Sequence, residues 1–304
     1  MIITLIRVLT DNMKRFLISI CSAALIMTGC KEKDPVLIFI GPPAADTTYL
    51  GTVPTVIQPH NVLIEEFTGQ GCSACPSAHS MLDAIESMVG NEGRINIVSM
   101  YFNGGPQTVP PKDNKYDFRN TIATNISLAI YVAISQFPSV SIDRTPSSGL
   151  LDLLPPAWSS LINSQKAMAD SINLDVKSTF SGGKATITVT VQYAYNISTK
   201  QNLSVYILED SLIDIQEDGI KFDTFYLFKD IFRDMVSTPN LGDPILNSMA
   251  TKPAGQVYIR RYTYTPSSSI INVGKCRVVA FINNPGGTGS DYKVLQSVQC
   301  RLIP

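Results

Sequence analysis

Val62-Leu63-Ile64-Glu65-Glu66-Phe67-Thr68-Gly69-Gln70-Gly71-Cys72-Ser73-Ala74-Cys75-Pro76 is the stretch on which the fold turns. It reads as an apolar strand, a glycine-bearing turn, two cysteines spaced by two residues, and the start of a helix. Pro76 falls in the first helical turn, where its missing N–H costs nothing. Ala78, Leu82, Ile85 and Val89 recur at helical spacing and Gly90 supplies a stop, so a helix is predicted over residues 75–89. A thiol at a helix N-terminus meets free backbone N–H groups and the positive end of the helix dipole. Its pKa falls there from about 8.5 toward about 3.5–7.5. The spacing lets the second sulfur reach the first. Cys72 is therefore the candidate exposed attacking thiol and Cys75 the buried resolving thiol. The alternative is a permanent disulfide that stiffens the loop.

Toward the C-terminus, residues 95–102 form an apolar, β-branched strand, followed by a Pro/Gly-rich loop at 104–111 and a helical insert at 116–135. Phe137-Pro138-Ser139-Val140-Ser141-Ile142 is a further strand, closed by Asp143-Arg144, read as a surface ion pair or turn. A last helix is predicted over 158–169. Strands alternating with helices imply a βαβ-type unit over residues 61–170. Beyond residue 170 the period becomes two. Ile172, Leu174 and Val176 alternate with polar residues, as do Ala185, Ile187, Val189 and Val191. Further strands are expected near 203–207, 257–264, 276–282 and 294–303, with an irregular excursion at 214–255. Short alternating strands with little helix argue for a β-sandwich over residues 171–304. The fold class is α+β.

On the N-terminal side, Met13-Lys14-Arg15 supplies positive charge and residues 16–27 an apolar run, too short to span a bilayer. The run ends in Leu25-Ile26-Met27-Thr28-Gly29-Cys30, which resembles a bacterial lipobox. That resemblance implies a signal peptide over residues 1–29, with Met13 the expected true start, and lipidation at Cys30. Residues 30–60 read as a tether with one strand at 36–40, and the charged Lys31-Glu32-Lys33-Asp34 resembles the tether of surface-exposed lipoproteins in Bacteroidota. Four of the six cysteines then remain: Cys72, Cys75, Cys276 and Cys300. An even number in an oxidising compartment favours disulfides. Residues 283–290 are a turn signal, and a hairpin centred near Thr288 sets Cys276 opposite Cys300, predicting a structural disulfide. The alternative is two small buried apolar residues.

The strand 62–67 with Cys72-Ser73-Ala74-Cys75 resembles the active-site segment of the thioredoxin superfamily. The resemblance implies that Glu66 is the buried carboxylate that accepts the resolving thiol's proton. It also implies that Pro138 is the cis-proline shaping the client groove. Read from the residues alone, Glu66 is equally a solvent-facing acid. Two departures stand out: Gly71 occupies the place of the superfamily's tryptophan, and the motif-to-proline stretch is long. A fuller resemblance is to the 28-kDa-type outer-membrane protein family of Bacteroidota. Residues 65–69, Cys72 to Pro76, Phe232-Arg233-Asp234 and Val278-Val279-Ala280-Phe281 carry it. Together these imply a thioredoxin-like domain followed by an immunoglobulin-like β-sandwich.

Acidic and basic residues nearly cancel, 25 against 24, and no basic stripe marks a nucleic-acid partner. Cys72, Cys75 and His79 lack a fourth metal ligand; His79 is expected on the helix surface. No metal or cofactor is expected. Asp46-Thr47-Thr48 and Asp210-Ser211-Leu212 match a short glycosylation signal of Bacteroidota. Two functions are compatible with the sequence. One is a thiol–disulfide oxidoreductase acting on exported proteins. The other is a binding or adhesion lipoprotein for an extracellular ligand, with the first domain as scaffold. Both attach to the outer membrane through an N-terminal lipid, facing the periplasm or the surface.

Overall fold

The computed structural model describes residues 46–304 other than 132, 133, 135 and 287–290. The signal segment, Cys30, the strand expected at 36–40 and the glycine turn near Thr288 lie outside the described residues. The strands are β1 (Asp46–Leu50), β2 (Val62–Thr68), β3 (Ile95–Tyr101), β4 (Ser139–Ile142), β5 (Ile172–Ser181), β6 (Lys184–Tyr193) and β7 (Gln201–Glu209). They continue as β8 (Leu212–Asp218), β9 (Lys221–Phe228), β10 (Ile231–Met235), β11 (Asp243–Ile245), β12 (Gln256–Tyr264), β13 (Cys276–Asn283) and β14 (Val294–Arg301). The α-helices are α1 (Cys75–Glu86), α2 (Thr121–Ile126) and α3 (Trp158–Lys166). None of the described helices is long and apolar enough to cross a membrane.

Helix α1 begins and ends close to where the spacing places it. Its apolar positions Ala78, Leu82 and Ile85 are buried with Val62, Ile64 and Ile97 of the sheet and with Trp158 and Ile162 of α3. Helix α2 starts later than the expected insert because Asn120 caps it, its side chain accepting from the Ile122 and Ala123 N–H groups. It covers the opposite sheet face, where Ala123 and Ile126 meet Leu63, Phe67 and Met100. Strand β2 is thus sandwiched, and all its residues are buried.

Strands β2 and β3 are parallel, β4 is antiparallel to β2, and β10 runs parallel to β3. The full order is β14-β13-β7-β10-β3-β2-β4, with β11 also paired to β7. The boundary expected at 170/171 therefore does not separate two sheets: strands from both sides of it form one. The reason is visible in β7 and β13, which are apolar on both faces. Leu203, Val205 and Ile207 share a core with Val278, Ala280 and Ile282 and with the second sheet, β1-β12-β6-β5. Tyr206, Leu208, Val279 and Phe281 point the other way, into the core under α2. Near-continuous apolar runs such as 278–282 are the mark of strands buried on both sides.

Three further expectations are corrected. The tether assigned to residues 30–60 includes β1, an edge strand paired antiparallel to β12. The excursion at 214–255 contains most of β8 and all of β9, which form a two-stranded sheet among the described residues, as well as β10 and β11. Asp143-Arg144 is not a surface pair. Asp143 is 0% and Arg144 1% exposed. Asp143 Oδ2 lies 2.8 Å from His60 Nε2, while Arg144 donates to both oxygens of Glu65 at 2.8 Å.

Candidate functional site

The successive acids of β2 point to opposite faces and meet different chemistry. Glu65 faces α2. Besides Arg144 it accepts from Tyr131, and Tyr206 Oη lies 3.4 Å from it. Burial pushes its carboxyl up, but the Arg144 guanidinium outweighs this and holds it below the usual range. Glu66 faces α1. Ser99 donates to its Oε2 at 2.9 Å, while Oε1 is buried without a directed hydrogen bond. Burial, reinforced by the charge of Asp83 and opposed by the Ser99 bond, raises Glu66 to about 8. One acid is a fixed anion and its neighbour a neutral carboxylic acid at pH 7.

Cys72 and Cys75 are joined in a disulfide. Cys75 opens α1, Pro76 follows in the first turn, and Ala74 offers no side-chain cap. The turn is closed by Cys72 N–H donating to Gly69 at 3.1 Å and Cys75 N–H donating to Cys72 at 3.1 Å. Gly71 is a glycine because another backbone lies against it. A Cβ there would sit 2.5 Å from the Val109 carbonyl oxygen, so the loop after β3 excludes the bulky residue the thioredoxin resemblance would put at this position.

Ser73 and Ala74 are exposed, but Cys72 is only 2% and Cys75 0% exposed. The expectation of an exposed Cys72 is thus corrected. The covering element is the β8–β9 hairpin, which runs along the motif. Gln216 Nε2 donates to the carbonyls of Gly69 (3.2 Å) and Cys72 (3.1 Å). Glu217 N–H donates to Gln70 at 3.0 Å and Gly219 N–H to Ser73 at 2.9 Å.

His79 is not a surface residue. One turn beyond Cys75 on α1, it turns inward: Nε2 is 2.9 Å from Thr68 Oγ1 and 3.3 Å from Glu66 Oε1. Nδ1 is 2.5 Å from the Tyr226 hydroxyl on β9. Burial lowers its pKa to about 4, with Asp83 opposing and Lys229 assisting, so the ring is neutral at pH 7. Its i+4 spacing from Cys75 was visible in the sequence; its partners were not.

Pro138 precedes β4, and the Phe137-Pro138 bond is cis. Phe67 pairs with Ser139, so Pro138 stands at the same end of β2 as the cysteine turn.

Cys276 and Cys300 are both free. The hairpin register pairs Cys300 with Val278, and Leu302 N–H donates to the Cys276 carbonyl at 2.9 Å. The axis is displaced from Thr288, so the two cysteines are diagonal and out of reach. Burial raises Cys276 to about 12 and Cys300 to about 11, leaving two unreactive thiols. Peptide mapping of unreduced, denatured protein should find both alkylated by iodoacetamide, with Cys72 and Cys75 protected until reductant is added. A cross-linked 276–300 peptide would contradict this.

A family sequence model described as outer membrane protein Omp28 matches residues 126–302, more than half of the chain. The chain belongs to the Omp28 family. This is a family of outer membrane proteins, which puts the chain in the cell envelope. No curated protein matches it. Among solved structures, HBP35 of Porphyromonas gingivalis is similar with a TM-score of 0.63 and 20% identity, over 83% of this chain and 76% of that one. A protein of Agrobacterium tumefaciens aligns with a TM-score of 0.47 and 14% identity, over 81% of this chain and 96% of that one.

Proposed function

We propose that this protein is a lipid-anchored thiol–disulfide oxidoreductase of the cell envelope, acting on exported proteins through Cys72 and Cys75. The observation that carries the reading is a disulfide at the start of α1, on a turn fed by β2, with the uncharged Glu66 carboxyl on the strand beneath that helix. Cys72 is the thiol that engages a client and Cys75 the one that resolves the mixed disulfide. Glu66 shuttles the proton of Cys75, donating it when the disulfide opens and accepting it when the disulfide closes, and Pro138 borders the client groove. On this reading residues 61–170 supply a thioredoxin-like unit whose sheet continues into β10, β7, β13 and β14, and β7, β13 and β14 pack on β1, β12, β6 and β5 as an immunoglobulin-like sandwich. The lipid sits on Cys30, facing the periplasm or the cell surface.

Exchange requires the tip of the β8–β9 hairpin, residues 216–219, to lift from residues 69–73, because Cys72 is covered when four hydrogen bonds hold that tip down; Tyr226, farther along β9, keeps its contact with His79. A lid of this kind gates access and does not accelerate the chemistry itself.

One observation favours a second reading, a binding lipoprotein with an inert disulfide. The hairpin's outer side carries exposed apolar groups: Ile220 is 99%, Phe225 81% and Phe222 60% exposed. Insulin reduction with a dithiol donor, and equilibration with glutathione, separate the two. The oxidoreductase reading expects turnover by the mature protein and its loss in Cys72→Ser. Turnover no faster than buffer leaves the binding reading.

A further inference from the structure

A small cleft open to solvent lies between α1, the sheet and β9, on the side of β2 that Glu66 faces. Glu66 and Ser99 line it from the sheet, His79 and Asp83 from α1, and Tyr226 from β9. Tyr101, Lys229 and Asp230 complete the charged and titratable groups that face it. Lys229 and Asp83 pair at 2.8 Å and are half-exposed, so they stand where the cleft meets water. The buried Glu66 Oε1, lacking a directed hydrogen bond, faces the ring nitrogen of His79.

We propose that Tyr226 and His79 relay protons between the exposed mouth of this cleft and the buried Glu66 at its inner end, serving the resolving thiol Cys75. The inference rests on the oxidoreductase reading and names residues that reading does not contain. The order of contacts is Tyr226 Oη to His79 Nδ1 at 2.5 Å, then His79 Nε2 to Glu66 Oε1 at 3.3 Å. A neutral imidazole passes a proton by accepting at one nitrogen and releasing from the other, so no buried imidazolium need form. This suits a ring that burial holds neutral at pH 7.

The step balances as follows. A client thiolate attacks the Cys72 sulfur, a new S–S bond forms, and the Cys72–Cys75 bond breaks. Cys75 leaves as a thiolate and takes the proton of the Glu66 carboxylic acid. The client's second thiolate attacks the client sulfur of the mixed disulfide and releases Cys72 as a thiolate, so the client gains a disulfide, losing two electrons, and the protein is left with the Cys75 thiol and the Cys72 thiolate. Glu66 regains its proton from His79 Nε2–H while Tyr226 donates to Nδ1, and Tyr226 is reprotonated from the cleft. The opposite direction runs the same path in reverse.

Neither residue touches the sulfurs, so both act through Glu66, and the test must read protonation as well as rate. Reduced glutathione is the probe: the rate of Cys72–Cys75 opening is followed by quenched alkylation from pH 5 to 9 in wild type, Tyr226→Phe and His79→Gln. Tyr226→Phe keeps the ring and removes only the hydroxyl. It should lower the rate at pH 6–7.5 by at least about tenfold and move the pH profile, as expected when a positioned proton donor is cut off. Added imidazole should restore part of the loss in His79→Gln. Nitrogen NMR of the oxidised protein, which needs no activity, should show the His79 tautomer changing in Tyr226→Phe. Wild-type profiles and an unchanged His79 spectrum in Tyr226→Phe would overturn the relay while leaving the oxidoreductase standing. A wild-type protein inert to glutathione would overturn the oxidoreductase itself.

Discussion

Arg144→Met is expected to destabilise the protein by about 3–5 kcal/mol, the cost of leaving a buried charge without its partner. Arg144 is 1% exposed and Glu65 is 1% exposed. The guanidinium donates from Nε and Nη2 to the two oxygens of Glu65 at 2.8 Å each, from Nη2 to the Tyr206 hydroxyl at 3.0 Å, and stacks 5.1 Å from the Phe281 ring centroid. Remove it, and the carboxylate keeps only hydroxyl partners in an apolar core. The pair as a whole is another matter. Two desolvated charges recover little more than their desolvation cost, so a double variant Glu65→Leu/Arg144→Met should regain most of the loss. Urea midpoints of the two variants decide the point. A single variant within about 1 kcal/mol of wild type would mean the cluster tolerates a lone acid, against the general cost of such groups. Its members come from β2, β7, β13 and the end of β4, so the damage should appear as one transition rather than as melting of one half.

Glu66→Gln should make the protein more stable at alkaline pH. Glu66 has a folded-state pKa of about 8 against an ordinary value of 4.5. The folded form therefore holds a proton that the unfolded chain releases. Stability from this group is complete below about pH 4.5 and is lost as pH rises through 8, at about 1.4 kcal/mol per pH unit. Over that window the loss amounts to about 3–5 kcal/mol. Glutamine keeps an oxygen for Ser99 and has no proton to lose, so wild type and variant should be close near pH 4.5 and diverge steadily toward pH 8.5. His60 contributes an alkaline slope of its own. Burial lowers it, but hydrogen bonds to Asp143 and Asp170 dominate and raise it to about 9. That slope is common to both proteins and cancels in the difference. Parallel stability curves for the two proteins would mean that Glu66 is already ionised when folded.

The region that carries the disulfide was legible because its signals are local. The helical spacing of Ala78, Leu82 and Ile85, the proline in the first turn and the β-branched run before each strand all act within a few residues. The same locality failed elsewhere. An alternating pattern predicted a sandwich standing apart from the first 170 residues. The second apolar set on β7, Tyr206 and Leu208, reaches back to cover Leu63 and Phe67, and no short window reports that. The β8–β9 hairpin escaped notice because buried polar groups, Asp214 and Gln216, stand where a strand's core face would be apolar. Those groups serve the motif loop and its neighbours, not the strand's own core. Tyr226 lies 147 residues from His79, so the contact that turns that histidine inward is invisible in the helix that bears it. The cysteine pair at 276 and 300 failed on register. The strands were found, but a small displacement of the hairpin axis sets each sulfur beside the wrong neighbour.

The shared sheet also bears on inheritance within the family. The portion matched by the Omp28 family begins at residue 126, after β2, α1 and β3. Taken by itself, that portion would present Tyr206, Leu208, Phe232 and Phe281 to water, and β10 would lose the neighbour that completes its pairing. A relative that kept the later strands while discarding the cysteine-bearing segment would need a substitute surface of the same shape. The cysteine-bearing loop and the envelope protein's frame thus share one core and one sheet, whatever chemistry the sulfurs perform.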